Sequence, residues 1–325
     1  MAAAVQVAEV GGPEVLTLTD MDPGLPGPAE LRIRQTAIGV NFIDVAFRSG
    51  RYPIRTPFIP GLEGAGFVEA IGEGVDGIRV GDRIGYASRP PPGGYAEIRL
   101  LPASRAVVLP EGLSDVTAAA FLFKGVTVQG LIRSCYPIRP GCTVLLHAAA
   151  GGVGSLLSRW AAHLGATVIG TVGGEAKAAI ARQQGCSHVI VLGTCDLSKE
   201  VRELTAGKGV DVVFDGVGTE VFSASLDCLR VRGTMVCYGA ASGPLDPIRP
   251  ATLGTKGSLF LTQYGMFHYT AQAAEYRERV ADVLGAIGAG IIGGGSVATY
   301  PLAEAAEAHR ALESRQTSGS LVLQP

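Results

Sequence analysis

Charge of one sign, clustered cysteine and long uninterrupted apolar runs are all missing from this 325-residue chain. Charged residues make up only 17% and nearly cancel, to a net −2. No basic stripe is present for nucleic acid and no cationic face for an anionic membrane. The six cysteines, at 135, 142, 186, 195, 228 and 237, form no C-x-x-C and no quartet. They read as small core residues of a reduced protein, not as a disulfide frame. Residues 1–10 lack a basic start followed by an apolar run, so no signal peptide is expected. The nearest approach to a membrane span, 144–164, is broken by glycines and carries His147, Arg159 and His163. The expectation is a cytoplasmic, soluble protein with neither a nucleic-acid nor a membrane partner.

Hydrophobic residues make up 47% of the chain, enough for a large core, and the length suits two domains or one large one. Over the first hundred residues, Gly and Pro clusters at 11–13, 23–28, 53, 57, 60–61 and 90–94 separate short runs at 15–18, 31–37, 66–71, 82–86 and 95–99. Short strands between regular turns predict a barrel or sandwich, with a helical turn or two at 41–48. From residue 118 the pattern becomes alternating helix and strand. Helices are predicted at 118–134, 155–164, 176–184, 197–204 and 221–229, and strands at 143–146, 167–171, 188–191, 210–215 and 234–238. Repeated βα units with short joints specify an α/β doubly wound parallel sheet, with 258–261 as a sixth strand. The tail reads as helix 271–289, strand 297–300, helix 302–314 and a last strand 320–323 that would return to the β domain.

The densest chemical signal is residues 143–155, TVLLHAAAGGVGS. A buried strand, a run of small residues and a helix in that order place backbone N–H groups at a helix N-terminus. Such an end carries about half a positive charge and admits a pyrophosphate closely. Against G-x-G-x-x-G, Ala149 stands at the first glycine, with Gly151 and Gly154 in register and Gly152 and Val153 between them. Close helix packing also uses alanine–glycine runs, so the motif alone leaves both readings open.

With these features in place, the sequence resembles the quinone oxidoreductase, or zeta-crystallin-like, family of the medium-chain dehydrogenase/reductase superfamily. The segments that carry the likeness are 11–16 (GGPEVL), 39–44 (GVNFID), 48–53 (RSGRYP), 61–66 (GLEGAG), 81–83 (GDR), 124–127 (KGVT), 147–154 (HAAAGGVG), 226–229 (LDCL) and 313–315 (ESR). Their order and spacing run through nearly the whole chain. The resemblance implies a GroES-like β-barrel domain over 1–120, completed by 265–325, and a Rossmann domain with a six-stranded parallel sheet over 121–264. It also implies an NADPH-linked reductase with the cofactor in the cleft between them. Zinc-dependent relatives use a cysteine and a His-Glu pair, whereas this chain has Asn41 through Asp44 at the first place and Leu62 before Glu63. Without thiolate or imidazole ligands no tetrahedral site is expected, and an electron-poor quinone or conjugated enone accepts hydride without a metal.

NADPH is expected over NADH. About twenty residues past the glycine turn, an NAD enzyme places a carboxylate on the ribose diol; here Gly173 and Gly174 end the strand. The resemblance assigns Lys177 and Arg315 to the 2′-phosphate, and Leu192 stands where relatives often carry a phosphate-binding tyrosine. It also implies cofactor contacts from Phe42, Asp44, Lys124, Thr127 and Gln129. Strand-end loops supply the rest, namely Gly216 and Val217, Gly239, Ala240 and Ala241, and Gln263 and Tyr264. For the substrate, Asn41 is the candidate donor to a quinone oxygen as charge develops, and Tyr52 the candidate ring partner. Ile43 and Tyr264 complete the set.

His147, inside a buried strand, reads as a satisfied core residue. His268 is a weaker candidate for the substrate mouth, and Ser155 and Ser158 have no His/Asp partners in motif form. The rival functions are an NADPH-dependent enone or alkenal reductase and an NADPH-binding structural or stress protein without turnover. An exposed sixth strand would pair with its two-fold mate to give a homodimer.

Overall fold

The computed structural model describes residues 1–314 and 317–325. Internal contacts divide them into one unit of Met1–Val126, Thr270–Gly288 and Gly293–Pro325, and a second of Thr127–Tyr269 and Ala289–Ile292.

The second unit holds a six-stranded, wholly parallel sheet. Across it the strands run His188–Val191, Thr167–Val172, Thr143–Leu146, Val210–Asp215, Leu229–Cys237 and Phe260–Gln263. This is the 3-2-1-4-5-6 order of a dinucleotide-binding sheet, and the expected doubly wound fold is borne out. The order reverses between Thr143–Leu146 and Val210–Asp215, which makes their carboxyl ends the topological switch point of the sheet. Val144, Leu145, Leu146, Val212, Val213 and Phe214 are all fully buried, which is why these strands are apolar throughout and do not alternate. Helix Leu197–Leu204 begins where Asp196 accepts hydrogen bonds from the Ser198 and Lys199 amides, and it docks Leu197 and Val201 on the sheet.

The first unit holds a seven-stranded mixed sheet and a two-stranded antiparallel one of Ala2–Val7 and Leu16–Met21. Strand Glu30–Val40 pairs with Glu63–Ile71, Ile98–Pro102 and the C-terminal Ser320–Gln324. Thus the last strand does rejoin the β unit, beside residues 38–40. Register shifts at Arg32/Ile33 and Gln35/Ala37 mark the irregularities that bend such a sheet. Helix Phe42–Arg48 leaves the end of strand Glu30–Val40, so the chain passes directly from the sheet into residues 41–44.

Several expected elements differ in detail, among them these. The predicted helix 118–134 is α-helical over Asp115–Gln129 and then widens into a π-turn, Gly130–Cys135. The widening starts at Gly130, where a Cβ would lie 2.1 Å from the Tyr264 hydroxyl. Asp115–Cys135 is also long and apolar enough to cross a membrane, but its apolar window is 83% buried inside the protein. The sixth strand is Phe260–Gln263, two residues later than predicted, because Ser258 at φ 55° still belongs to the turn.

His147 is fully buried and both ring nitrogens are partnered, Nδ1 with Thr171 Oγ1 at 2.8 Å and Nε2 with Ser225 Oγ at 2.7 Å. Burial lowers its pKa to about 3. The folded value lies below the unfolded one, so this stability is present above pH 6.5 and is lost as pH falls toward 3. Between pH 7 and pH 4, His147→Gln should lose about 3 kcal/mol less stability than the wild-type chain. Urea unfolding at the two pH values checks it, and equal losses would count against this account.

Candidate active site

In the glycine turn, Ala148 adopts φ 53° and its carbonyl accepts the Gly151 amide at 2.9 Å. Helix Gly152–His163 follows at once, with Gly151 at its cap. A Cβ on Gly154 would lie 2.2 Å from the Ala148 oxygen and 2.9 Å from the Ala149 Cα, both backbone, so only glycine fits. Ala149 at the first motif glycine is accommodated from the neighbouring strand. Gly170 faces it, and a Cβ there would come within 2.7 Å of the Ala149 methyl. Gly154→Ala should therefore cost about 1–3 kcal/mol, while Gly151→Ala, whose Cβ meets only the Ala148 oxygen at 3.2 Å, should cost less. Thermal melts of the two variants compare them.

At the end of strand Thr167–Val172, Gly173 and Gly174 leave open space, with nothing within 4 Å of an added Cβ on either. Helix Glu175–Gln183 starts immediately, and the Lys177 amide donates to the Gly174 carbonyl at 3.0 Å. Partial burial lowers the Lys177 pKa. Leu192 is half-buried and packs on the sheet core. Arg315 lies outside the described residues.

The remaining strand-end loops are tied to one another. Asp215 Oδ1 accepts the Val217 and Gly218 amides, at 2.7 and 3.0 Å. The Ala241 and Ser242 amides donate to the carbonyls of Gly216 and Val217. Gly239 is small by necessity, since a Cβ would lie 2.7 Å from the Gly216 oxygen. Tyr264 is buried, stacks on Tyr269 at 4.7 Å, and hangs its amide on the Cys237 carbonyl. Gln263 beside it is exposed, as is His268. Thr127 Oγ1 contacts Met266 Sδ at 3.4 Å, and Gln129 is buried. Residues 151–154, 173–174, 216–217 and 239–241 thus follow the carboxyl ends of strands in one parallel sheet, and Gln263 is itself the last residue of its sixth strand.

In the other unit, Asn41, Asp44 and Lys124 come together, whereas Phe42 and Tyr52 are exposed and Ile43 is half-buried. Tyr52 sits edge-on to Phe47 at 5.8 Å. Asn41 Nδ2 donates to Glu63 Oε2 at 2.9 Å, and its backbone amide to Asp44 Oδ2 at 2.8 Å. Glu63, fully buried, also accepts the Phe123 amide at 2.6 Å and lies 3.6 Å from Lys124 Nζ. Burial raises the Glu63 pKa, and Lys124, Asn41 and Phe123 oppose that rise. Sequence reading quoted Glu63 only as a motif letter. It missed the buried Tyr95, Arg48 and His309 behind it, and His309 in particular sits in an ordinary amphipathic helix with no local signal.

Residues 27–111 match the family model of the alcohol dehydrogenase GroES-like domain, and residues 152–285 that of the zinc-binding dehydrogenase. The chain is 44% identical over 328 residues to a quinone oxidoreductase of Pseudomonas aeruginosa, covering all of both proteins. It belongs to the quinone oxidoreductase family of the medium-chain dehydrogenase/reductase superfamily. This member of the quinone oxidoreductase family is also 44% identical over 332 residues to a 2-haloacrylate reductase from a Burkholderia species, covering all of this chain and 99% of that one. Its structure matches that of Escherichia coli quinone oxidoreductase complexed with NADPH at a TM-score of 0.97, with 41% identity and full coverage of both chains. As to the zinc in the second model's name, Leu62 precedes Glu63. Among the described residues no group of three or more His, Cys, Asp or Glu is placed to hold a metal ion.

Proposed function

We propose that this protein is a zinc-independent, cytoplasmic NADPH:quinone reductase. The observation that carries the cofactor reading is the open space at Gly173 and Gly174 after strand Thr167–Val172, with Lys177 three residues on; Glu175, which could serve a ribose if the loop shifted, begins the next helix. NADPH, when bound, supplies hydride to the electron-poor acceptor. The amides of residues 151–154 would hold its pyrophosphate, with Gly154 allowing the close approach. Lys177 and Arg315 would hold the 2′-phosphate. The loops at 216–217, 239–241 and 263–264, with Phe42, Asp44, Lys124, Thr127 and Gln129, would line the remainder. Asn41 has a second amide N–H beyond the one given to Glu63, and it is the donor assigned to the acceptor's oxygen. Ile43, Tyr52 and Tyr264 would bound the ring.

A second reading, reduction of a conjugated carbon–carbon double bond, is favoured specifically by the 2-haloacrylate reductase among the relatives. Anaerobic NADPH oxidation with 1,4-benzoquinone, 9,10-phenanthrenequinone, a 2-alkenal and 2-chloroacrylate separates the two by kcat/KM. A larger value for either quinone supports the first. NADPH binding without oxidation by any acceptor would support a binding protein without turnover.

Strand Phe260–Gln263 is the edge of its sheet, and Phe260 is 61% exposed. We assign this edge to a two-fold dimer in which the strand pairs with its mate. Light scattering should report a dimer, and Thr262→Pro should shift it to monomer. A wild-type monomer removes the assignment.

A further inference from the structure

Glu63 stands where three elements of the first unit meet. It opens strand Glu63–Ile71, pairs with Gly39 of strand Glu30–Val40, and meets helix Asp115–Gln129 at Phe123 and Lys124. Gly39 makes the room its carboxylate needs, since a Cβ there would fall 2.3 Å from Glu63 Oε2 and 2.2 Å from the Ala119 carbonyl oxygen. Each carboxylate oxygen has its own donor. Oε1 accepts the Phe123 amide at 2.6 Å, and Oε2 accepts Asn41 Nδ2 at 2.9 Å.

The far side of Asn41 is fixed as well. Its backbone amide donates to Asp44 Oδ2 at 2.8 Å, and its side chain accepts the Asp44 amide, closing a capping box at the start of helix Phe42–Arg48. An asparagine side chain accepts at one end and donates at the other. Turned over, it would set its NH2 group against the Asp44 amide, donor against donor. The atom facing Glu63 is therefore the nitrogen, and Oε2 must accept. Only a carboxylate meets both demands at position 63. A glutamine has one oxygen, so either the Phe123 amide or Asn41 would face its NH2 group.

We propose that Glu63 is a positioning residue for the reduction, holding the Asn41 amide in the one orientation that leaves an N–H for the acceptor. This rests on the reductase reading and on Asn41 as the donor to the acceptor's oxygen. As hydride arrives, negative charge grows on that oxygen, and a hydrogen already aimed at it needs no reorganisation. With the amide reversed, a lone pair of the Asn41 carbonyl would face the growing charge instead. Glu63 acts through Asn41 and transfers no proton.

A double-mutant cycle on single-turnover oxidation of saturating NADPH by 1,4-benzoquinone tests this. Asn41→Ala should slow the step about a hundredfold, the usual loss for one donor to a developing oxyanion. Glu63→Gln should slow it about tenfold or more in the wild-type background, because part of the enzyme then holds the Asn41 amide reversed. In the Asn41→Ala background it should change the rate less than about twofold, since no amide is left to orient. An effect that ran through Lys124, or through a general loosening of the fold, would appear equally in both backgrounds. Equal losses would therefore overturn the proposal.

A wild-type measurement serves should Glu63→Gln not fold. Neutron diffraction from crystals exchanged into D2O should place both amide deuterons on the Asn41 atom that faces Glu63, and none on Glu63 Oε2. An oxygen at that place, or a deuteron on Oε2, would overturn the assignment. If the wild-type enzyme binds NADPH but oxidises it with no acceptor, the functional reading itself fails. If Asn41→Ala runs at the wild-type rate, the donor reading fails, and the positioning role falls with either. A large loss in Asn41→Ala together with equal Glu63→Gln losses counts against Glu63 alone.

Discussion

Replacing Glu63 by alanine should cost about 3–5 kcal/mol of stability and lower the thermal midpoint by roughly 10 °C. Three groups lose their acceptor at once. The Phe123 amide and the Asn41 side-chain amide are left without their Glu63 bonds, and Lys124 Nζ, with under a tenth of its side chain exposed, loses the carboxylate 3.6 Å away. The charge dominates, because an ammonium cannot return to water from this position without opening the core. A double variant separates the two contributions. Glu63→Gln with Lys124→Met removes both charges and keeps an acceptor for Phe123, so it should recover most of the loss. Urea unfolding of the single and double variants below pH 7, where burial favours the protonated form of Asp44, gives the comparison. If Glu63→Ala were within 1 kcal/mol of wild type, the buried pair would not be holding this part of the fold.

Lys177→Ala should weaken NADPH about ten- to a hundredfold and leave NADH nearly unchanged. The expectation follows from the proposed 2′-phosphate contact, and the two cofactors differ only in that phosphate. The fold should be untouched, since Lys177 lies in the first turn of helix Glu175–Gln183 and the turn is held by its backbone bond to Gly174. Isothermal titration with each dinucleotide measures the ratio directly. A second variant, Arg315→Ala, should add to the loss, and the pair together should bring the two cofactors close to parity. If both substitutions leave the NADPH/NADH ratio where it was, neither cation meets the phosphate and the cofactor reading must rest on other contacts.

Much of the sheet was legible in local pattern because a parallel strand buried on both faces must be apolar throughout. Residues 143–146, 188–191 and 210–215 fall where the runs predicted them. The β unit was harder. Ala2–Val7 carries no strand-forming side chain until Val5, yet it forms a strand because Leu16–Met21 supplies a complete antiparallel partner. Strand Leu229–Cys237 begins five residues before the predicted 234, and a register shift at Val210/Val212 separates its first pair from the rest. The helix predicted over 118–134 could not be divided into its α and π parts, and the need for a glycine at 130 is set by a tyrosine more than a hundred residues away.

Of the candidate site, the glycine turn and the glycine pair after the second strand could be read in order along the chain, because close approach and open space are demands on single residues. The sequence by itself thus determined the doubly wound sheet, the turn at 151–154 and the lysine after Gly174. It also showed that the usual cysteine and histidine positions for zinc are filled by other residues. Tertiary structure alone decided that Asp44, Glu63 and Lys124 share one buried space, that Tyr95, His309, Arg48 and Glu313 stand in line behind them, and that Gly170 makes room for Ala149. The physical reason is range. A turn or a run reports demands set within a few residues, whereas a buried charge is shaped by neighbours brought from several distant segments.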